Sequence, residues 1–375
     1  MKRNGLYLLV VVTLIFAMGL LMVFNTTAAE VLDRSLDRST HQALIKQILY
    51  GILGTLGAIG VWFLGYQNIL KLSGFFLAVS IILLVLVFVP GFGQQINGAH
   101  RWIAFFGYSF QPSEFVKYII PVYFIHVMTA HDKSMPLKSF LKLIAILLLP
   151  IGLILIEPDN GTAGIILMSL FALFILIRIK WVYWALPLLI AIVGGVAVAS
   201  KMQHVPDRIR VYLHPETDLK GKGHQPHQAK IAAGSGKLFG RGLAESLQKL
   251  DYLPEARSDY IAAIFAEEFG FIGMTSLILL YMLIGYLGFH IASKTQDVQG
   301  FYLVSIFTFL ICFQAFLNLG VVSGLLPSKG TNLPFFSQGG SSLLANFMAM
   351  CLILNVANTS SVKGNLACRV KKQKS

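Results

Sequence analysis

Long apolar runs separated by short polar turns dominate the pattern of this chain. A run of about 20 apolar residues is long enough to cross a bilayer as a helix. The predicted spans are residues 6–24, 44–64, 72–90, 112–129, 139–156, 162–178, 181–199, 261–289, 301–322 and 340–358. The first run is longer than the apolar core of a signal peptide, so we interpret it as an uncleaved span. The pattern predicts an all-α fold, a polytopic membrane protein in which ten transmembrane helices form a single domain over residues 1–375.

The distribution of Lys and Arg predicts the orientation. The short turns at 65–71, 130–138, 178–180 and 290–299 and both termini carry Lys or Arg, whereas the turn at 157–161 carries acids only. The positive-inside rule therefore places both termini, including the basic tail 359–375, in the cytoplasm. It places the loops at 91–111, 157–161, 200–260 and 323–339 outside the cytoplasmic (inner) membrane. Loop 200–260, between spans seven and eight, is then a large extracytoplasmic loop.

Composition agrees with a membrane protein and excludes two soluble domains. Of the 375 residues 56% are hydrophobic and 13% are charged, and the mean hydropathy is +0.71. Part of the net charge of +13 follows from the basic turns, so it does not indicate a nucleic-acid partner. The three cysteines lie in apolar runs or in the tail, which gives no disulfide framework.

The polar outer loops are the predicted place for chemistry. Loop 200–260 holds more Lys and Arg than Asp and Glu, and Arg101 and Lys117 add positive charge if the outer loops converge. A basic surface at the outer leaflet suits an anionic lipid headgroup, and Arg suits phosphate. The alternative is that these charges only solvate the loop.

Two local motifs are weaker. Residues 233–242 look like a phosphate-binding loop, but Leu238 follows Lys237 where that motif needs Ser or Thr. The backbone amides of this segment, with Arg241, can still face an anion. His224 and His227, together with His214, are weak evidence for zinc, so no metal site is predicted.

The stretch 248–273 joins the long loop to span eight. Pro254 suits the first turn of a helix. If the helix starts there, Glu255 and Asp259 lie four residues apart on one face, with Glu267 two turns deeper. A carboxylate at the water–lipid boundary can act as a general base. We interpret Glu255 and Asp251 as helix-start acids and Asp259 as the catalytic candidate.

Six motifs spread along the chain, of which the stretch Leu253–Gly273 is one, together resemble the SEDS family, the shape, elongation, division and sporulation proteins typified by RodA and FtsW. The resemblance covers nearly the whole chain, and the stretch Pro327-Ser-Lys-Gly330 is closer to the division member. Two departures from the family pattern are Arg257-Ser258, where His-Thr is usual, and Gln338, where Tyr is usual. The motifs that carry the resemblance are Asn97–Trp102, Gln111–Lys117, Pro158–Thr162, Gly236–Gly242, Leu253–Gly273 and Pro334–Ser342.

The resemblance implies a peptidoglycan glycosyltransferase that polymerises lipid II outside the cytoplasmic membrane. Its essential acid falls on Asp259, the expected general base for a sugar hydroxyl. The leaving pyrophosphate needs positive charge, from Arg or Lys or from a divalent cation such as Mg²⁺ or Mn²⁺. The expected substrate-binding residues are Arg101, Trp102, Glu114, Lys117, Arg241, Arg257 and Ser341. Of these, Glu114 and Lys117 lie three residues apart and are expected to pair on their helix.

Two other functions stay open at this point. A flippase for the same lipid would keep its polar site near the midplane, in inverted repeats, whereas the acids and cations here cluster at one face. A non-catalytic scaffold would need no Asp259. The resemblance also implies, besides membrane lipid, a class B penicillin-binding transpeptidase and other division proteins as partners. Gly285 and Gly288 on span eight are expected to let a partner helix approach closely.

Overall fold

A computed structural model describes residues 2–34, 40–96, 99–105, 108–130, 135–201, 224–246, 257–328 and 330–373. The helices are α1 Lys2–Arg34, α2 Gln42–Leu64, α3 Tyr66–Lys71, α4 Ser73–Leu86, α5 Ser113–Thr129, α6 Leu137–Ile156, α7 Asn160–Leu176, α8 Trp181–Lys201, α9 His224–Ser235, α10 Ile261–Ser293, α11 Val298–Val322 and α12 Gly340–Gln373. The strands are β1 Gly93–Ile96, β2 Ala99–Phe105 and β3 Tyr108–Phe110.

A helix lies at the position of each of the ten predicted spans. Among the described helices, α1, α2, α6, α10, α11 and α12 are long and apolar enough to cross a membrane, and α4 and α7 are apolar but shorter. The core is apolar, and large side chains such as Phe63 and Trp181 stay exposed on the outside of the bundle, as expected where helices face lipid. The chain is a multi-pass helical membrane protein, whereas the number of ten crossings stays a prediction.

The chain is mostly helical, but the loop predicted at residues 91–111 contains strands that the all-α prediction did not include. There the chain forms a three-stranded antiparallel sheet in the order β1-β2-β3. Buried Ile103 in the middle strand lies opposite Gly93 on one side and Phe110 on the other. Strands this short leave little periodic signal in a sequence dominated by apolar runs. The sheet positions the site, because β2 carries Arg101 and Trp102.

Helix α10 is broken at Gly270, whose φ of 64° and ψ of −161° are not helical. Glycine adopts this conformation without a Cβ clash. The break frees two amide groups that an uninterrupted helix would use internally. Phe271 N donates instead to Lys237 O at 2.9 Å, and Ile272 N donates to Leu238 O at 3.2 Å. The loop that follows α9 is therefore built into the hydrogen bonding of α10.

The small residues on α10 serve packing within the chain. A Cβ on Gly285 would lie 3.2 Å from the Cys312 sulfur, and one on Gly288 would collide with Thr308. Both glycines are buried against α11. The expectation that Gly285 and Gly288 admit a partner helix is therefore wrong, because α11 already occupies that face.

Candidate functional site

Several helix ends meet at one end of the bundle. Gln111, just before α5, donates from its backbone to Ser341 Oγ in α12 at 2.9 Å and from its side chain to Asp159 Oδ2, before α7, at 3.3 Å. Asn318, near the end of α11, donates to Asp259 O, before α10, at 2.8 Å. Helix α6 ends just before the Asp159 turn. These contacts bring polar residues from distant parts of the sequence into one region.

Asp259 lies in a turn and not in a helix. Residues 257–260 form a turn, and α10 begins at Ile261. The prediction that a helix extends through Asp259 is therefore wrong for residues 257–260, whereas Pro254 lies outside the described residues. Asp251 and Glu255 lie outside the described residues, so their predicted role as helix-start acids stays a prediction. Ile261 is fully buried while Asp259 is partly exposed, so the carboxylate stands at the edge of the packed core.

The segment Gly330–Thr331 closes over Asp259. A Cβ on Gly330 would lie 3.0 Å from Asp259 Oδ2, so the backbone of Gly330 runs beside the carboxylate. The Asn318 side-chain amide bridges the two segments, because it donates to Asp259 O at 2.8 Å and to Thr331 O at 2.7 Å. The position of Asp259 relative to this segment is therefore defined by hydrogen bonds.

A second acid, Asp159, lies on the other side of the same segment. Asp159 caps α7 by accepting from Thr162 N at 3.2 Å, and its other oxygen accepts from Ser113 Oγ at 3.4 Å. A Cβ on Gly161, in the first turn of α7, would lie 3.4 Å from Thr331 Cγ2. The segment Gly330–Thr331 is thus held between the turn that carries Asp159 and the turn that carries Asp259.

Arg101 is fixed to the turn between α6 and α7. Its Nε donates to Glu157 O at 3.0 Å, and its Nη2 donates to Pro158 O at 2.5 Å. The Glu157 side chain is fully buried, and neither carboxylate oxygen has a hydrogen-bond partner among the described residues. The pKa of the Glu157 carboxyl is raised to about 8, first by burial and then by the charge of Asp159, against the lowering effect of Arg101. The turn thus combines a cation with a carboxyl group that is neutral below about pH 8.

Glu114 and Lys117 pair on α5 as the sequence predicted, with Lys117 Nζ 2.6 Å from Glu114 Oε2. The lysine is only 1% exposed. Its ammonium also donates to Gln314 Oε1 on α11 at 2.8 Å. Gln314 Nε2 in turn donates to Asn332 O at 2.8 Å. A buried ion pair is therefore joined by one side chain to the segment beside Asp259.

Three more predicted binding residues lie in the sheet and around the loop before α12. Trp102 is half-buried in β2. Ser341 lies at the start of α12, and its hydroxyl accepts a hydrogen bond from the Gln111 N–H. The Arg257 carbonyl accepts from Gln338 N at 2.9 Å. Arg257 and Ser341 thus belong to the region of Asp259. Trp102 lies next to Arg101 in the same strand.

Arg241 packs against the first part of α10. Its Nε lies 3.6 Å from Glu267 Oε1, and its backbone N–H donates to Glu267 O at 3.0 Å. Gly242 N donates to Glu268 O at 3.1 Å, and a Cβ on Gly240 would collide with that carbonyl. The backbone amides of Arg241 and Gly242 are thus used by α10 and are not available to an anion, whereas anion binding by the rest of the segment stays a prediction. The Arg241 side chain stays about 38% exposed and can still contact a ligand.

Within the described residues, no group of three or more His, Cys, Asp or Glu is arranged to hold a metal ion. His224 and His227 lie on α9, and His214 lies outside the described residues. A divalent cation at this end of the bundle would have to rely on one or two carboxylates and on ligand oxygens, which is a normal way for proteins to hold Mg²⁺.

Four residues of this region were not predicted as site residues. Asp159 and Glu157 lie in the acidic turn 157–161, and an acid three residues before Thr162 is a helix-capping pattern that could have indicated the role of Asp159. Gln314 and Asn318 stand inside the apolar run of span nine, where isolated buried amides are a sign of interhelical hydrogen bonds. Gln314 and Asn318 belong to no known motif, so their polarity within an apolar run is the only sequence signal of their role.

This arrangement of helix ends, acids and cations at one end of an apolar bundle defines a polytopic membrane protein with a polar site at a membrane boundary. The sequence model of the FtsW/RodA/SpoVE family, described as "Cell cycle protein", matches residues 6–362. The chain belongs to this family.

Individual relatives cover almost the full length. The chain is 35% identical to the probable peptidoglycan glycosyltransferase FtsW of Trichlorobacter lovleyi, over 95% of this chain and 94% of the relative. It is 33% identical to the stage V sporulation protein E of Bacillus subtilis, over 96% and 98%.

Solved structures give the same result for the fold. The chain superimposes with a TM-score of 0.74 and 27% identity on a chain from a study of polymerization and crosslinking by a peptidoglycan synthase complex, over 94% of this chain and 97% of that one. It superimposes on the rod shape determining protein RodA of Thermus thermophilus with a TM-score of 0.67 and 27% identity, over 94% and 95%.

Proposed function

We propose that this protein is a peptidoglycan glycosyltransferase that polymerises lipid II into glycan strands, in septal cell-wall synthesis during division. The observation that carries the proposal is the placement of Asp259. Partly exposed Asp259 stands in the turn directly before the membrane helix α10, with its carboxylate against Gly330 and near the Asp159 turn. Family membership and relatives named as probable peptidoglycan glycosyltransferases support the same reaction.

The reaction is a displacement at an anomeric carbon. A sugar 4-hydroxyl attacks C1 of a glycan that is carried on undecaprenyl pyrophosphate, and the C1–oxygen bond to pyrophosphate breaks. Asp259 takes the hydroxyl proton as general base. No side-chain nucleophile is needed, because the hydroxyl itself displaces the leaving group. The turn holds Asp259 at the core edge, where one face of the carboxylate can meet a headgroup.

The leaving pyrophosphate is stabilised by cations of the same region. Arg101 uses two of its N–H groups on the carbonyls of Glu157 and Pro158, which leaves the others for phosphate oxygens. Arg257 lies two residues before Asp259. Lys117 is buried with Glu114, so it acts through its charge and through Gln314 from inside the wall of the site. Trp102, Ser341 and Arg241 complete the proposed binding surface.

A divalent cation at this site would be coordinated mainly by phosphate oxygens of the substrate and less by the protein. The described residues offer no group of three or more His, Cys, Asp or Glu for a metal ion, and Asp259 and Asp159 are the two acids beside the segment Gly330–Thr331. Mg²⁺ or Mn²⁺ would be held by one of these together with phosphate oxygens. When bound, it would supply positive charge to the leaving group.

The orientation proposed for the chain has both termini in the cytoplasm and the site on the extracytoplasmic face of the inner membrane. The basic short turns support it through the positive-inside rule. The alternation of helix starts and ends agrees with it, since α5, α7, α10 and α12 begin at the site end while α6 and α11 end there.

The proposed partner is a class B penicillin-binding transpeptidase that crosslinks the strands, together with other division proteins. The related complex whose published study concerns polymerization and crosslinking supports this pairing of activities. Because Gly285 and Gly288 are used internally, the partner would contact an apolar face elsewhere on the bundle.

Purified protein with the transpeptidase and lipid II tests the proposal, with glycan strands separated by gel as the readout. Wild-type protein should make strands, and Asp259→Asn protein should not. A flippase would move lipid II between leaflets of a vesicle without making strands. A scaffold would support partner activity equally well in both versions. Either of these results would replace the enzyme assignment.

A further inference from the structure

Helix α11 presents two buried amide side chains toward the candidate site. Gln314 and Asn318 lie four residues apart, which places them one turn apart on the same face. Gln314 is 2% exposed and Asn318 is 1% exposed. Buried amides within an apolar helix are costly unless they are hydrogen-bonded, so their partners indicate what they are for.

The orientation of Asn318 is determined by its partners. Its Nδ2 donates to two backbone carbonyls, of Asp259 at 2.8 Å and of Thr331 at 2.7 Å. A flipped amide would place Oδ1 against both carbonyl oxygens, so only one orientation is favourable. One side chain on α11 thereby joins the turn before α10 to the segment before α12.

Gln314 makes the equivalent connection one turn away. Its Oε1 accepts from Lys117 Nζ at 2.8 Å, and its Nε2 donates to Asn332 O at 2.8 Å. Lys117 is in turn paired with Glu114. Gln314 therefore links the buried ion pair of α5 to the residue that follows Thr331.

Both amides hold one short segment. Asn318 donates to the carbonyl of Thr331, and Gln314 donates to the carbonyl of Asn332. Gly330 directly precedes them, and a Cβ added to it would lie 3.0 Å from Asp259 Oδ2. The location of the Asp259 carboxylate relative to the Lys117 charge is thus set by α11. Misplacing a reacting group by about 1 Å can cost roughly 100-fold in rate.

We propose that Asn318 and Gln314 are positioning residues, which fix the Asp259 turn and the segment Gly330–Asn332 relative to Lys117. This rests on the proposed function, because the reaction that they position is the polymerisation of lipid II. Neither side chain contacts the reacting atoms. Their effect is on the rate of the chemical step more than on the affinity for the lipid.

Asn355 is a matched control on α12. It is also a buried asparagine that bridges backbone groups, since it accepts from Tyr66 N at 3.1 Å and donates to Trp62 O at 3.1 Å. It joins α12 to the link between α2 and α3, away from the residues around Asp259. Asn318→Leu and Asn355→Leu therefore remove the same kind of side chain from different places.

The experiment measures strand synthesis by purified full-length protein with its transpeptidase at increasing lipid II, together with thermal stability in detergent. Asn318→Leu should lower the rate at saturating lipid II about 100-fold, with apparent affinity changed less than about threefold. Asn355→Leu should keep the wild-type rate per folded molecule. An equal loss of rate in the two variants, or no loss in Asn318→Leu, would overturn the proposal.

Two further variants keep the test decisive. Asn318→Asp keeps the shape, and its carboxyl can donate to a carbonyl only while it is protonated, so its rate relative to wild type should fall as pH rises. A constant ratio across pH would contradict the role of the donated bonds. Gln314→Met combined with Asn318→Leu should lose less than the product of the single losses, since both act on one segment. Fully multiplicative losses would contradict the shared segment.

If wild-type protein makes no strands, the proposed function fails and the positioning role fails with it. If wild-type protein makes strands and the Asn318 and Gln314 variants match it, only the positioning role fails. The two results are therefore distinguishable within the same assay.

Discussion

The backbone N–H of Gln338 donates to the carbonyl of Arg257 at 2.9 Å. These two residues belong to the two places at which the sequence departs from the family pattern. The hydrogen bond joins main chains, so it does not depend on either side chain. The two departures are therefore compatible with the same backbone geometry around Asp259.

Replacing Gln338 tests this main-chain contact. Gln338→Ala keeps the donor, so strand synthesis should stay within about twofold of wild type. Gln338→Pro removes the N–H and should release the Arg257 turn, lowering the rate at least about tenfold. Initial rates on lipid II provide the measurement. Equal rates for the two variants would show that the contact has no influence on the site.

Asp259→Asn tests the general base. The change keeps the size of the side chain and removes the proton acceptor, so the rate should fall by a factor of about 100 to 10,000. The protein should still insert into the membrane, bind lipid II and bind its partner. Glu255→Gln should have a milder effect, since no step of the proposed reaction uses Glu255. Wild-type polymerisation by Asp259→Asn protein would rule out the catalytic assignment.

Glu157 predicts a pH dependence of stability. Its folded pKa of about 8 lies above the ordinary value of 4.5, so the folded protein binds a proton that the unfolded chain releases. Stability should therefore be highest below about pH 4.5 for this group and should fall as pH rises toward 8.

Glu157→Gln removes that titration. Thermal unfolding in detergent between pH 5 and pH 9 should show the variant gaining on wild type as pH rises, by a few kcal/mol at most. Asp159→Asn should reduce the effect, because the charge of Asp159 contributes to the raised pKa. A pH-independent difference between wild type and Glu157→Gln would mean that Glu157 is not neutral in the folded protein.

Gly330→Ala tests the approach of the loop to Asp259. The added Cβ would lie 3.0 Å from Asp259 Oδ2, so the carboxylate has to move while the backbone stays in place. The rate should fall roughly 10- to 100-fold with little change in thermal stability. Gly164→Ala in α7 is the control, because its Cβ would meet nothing within 4 Å. Comparable rates for the two variants would remove Gly330 from the site.

Cysteine labelling tests the orientation. In a background without Cys312, Cys351 and Cys368, a cysteine in place of exposed Leu325 should react with a membrane-impermeant reagent from outside intact cells. A cysteine in place of Lys294 should react only after the membrane is opened. The reverse pattern would invert the topology.

The sequence predicted the ten longest described helices because each carries an apolar run. It did not predict α3 and α9, which lack such a run. It failed where tertiary contacts decide the outcome. The sheet at residues 93–110 depends on pairing between short strands. The turn at residues 257–260, directly before α10, receives a hydrogen bond from Asn318 of another helix.

The site was predicted only where a local sequence signal marks its residues. Asp259 and the Glu114–Lys117 pair are visible as charges beside or inside apolar runs. The roles of Gln314 and Asn318 are not visible, since each amide finds its partner in another segment of the chain. The engagement of Arg241 with Glu267 likewise depends on the loop packing against a broken helix.

The break in α10 has a consequence for biogenesis. The loop at residues 236–242 exchanges hydrogen bonds with α10 on both sides of Gly270, and it precedes α10 in the chain. The partners of the freed amides have therefore already been synthesised when the helix leaves the ribosome. We therefore expect the freed amides of α10 to be satisfied only once the preceding loop has docked, because lipid offers backbone amides no hydrogen-bond partner.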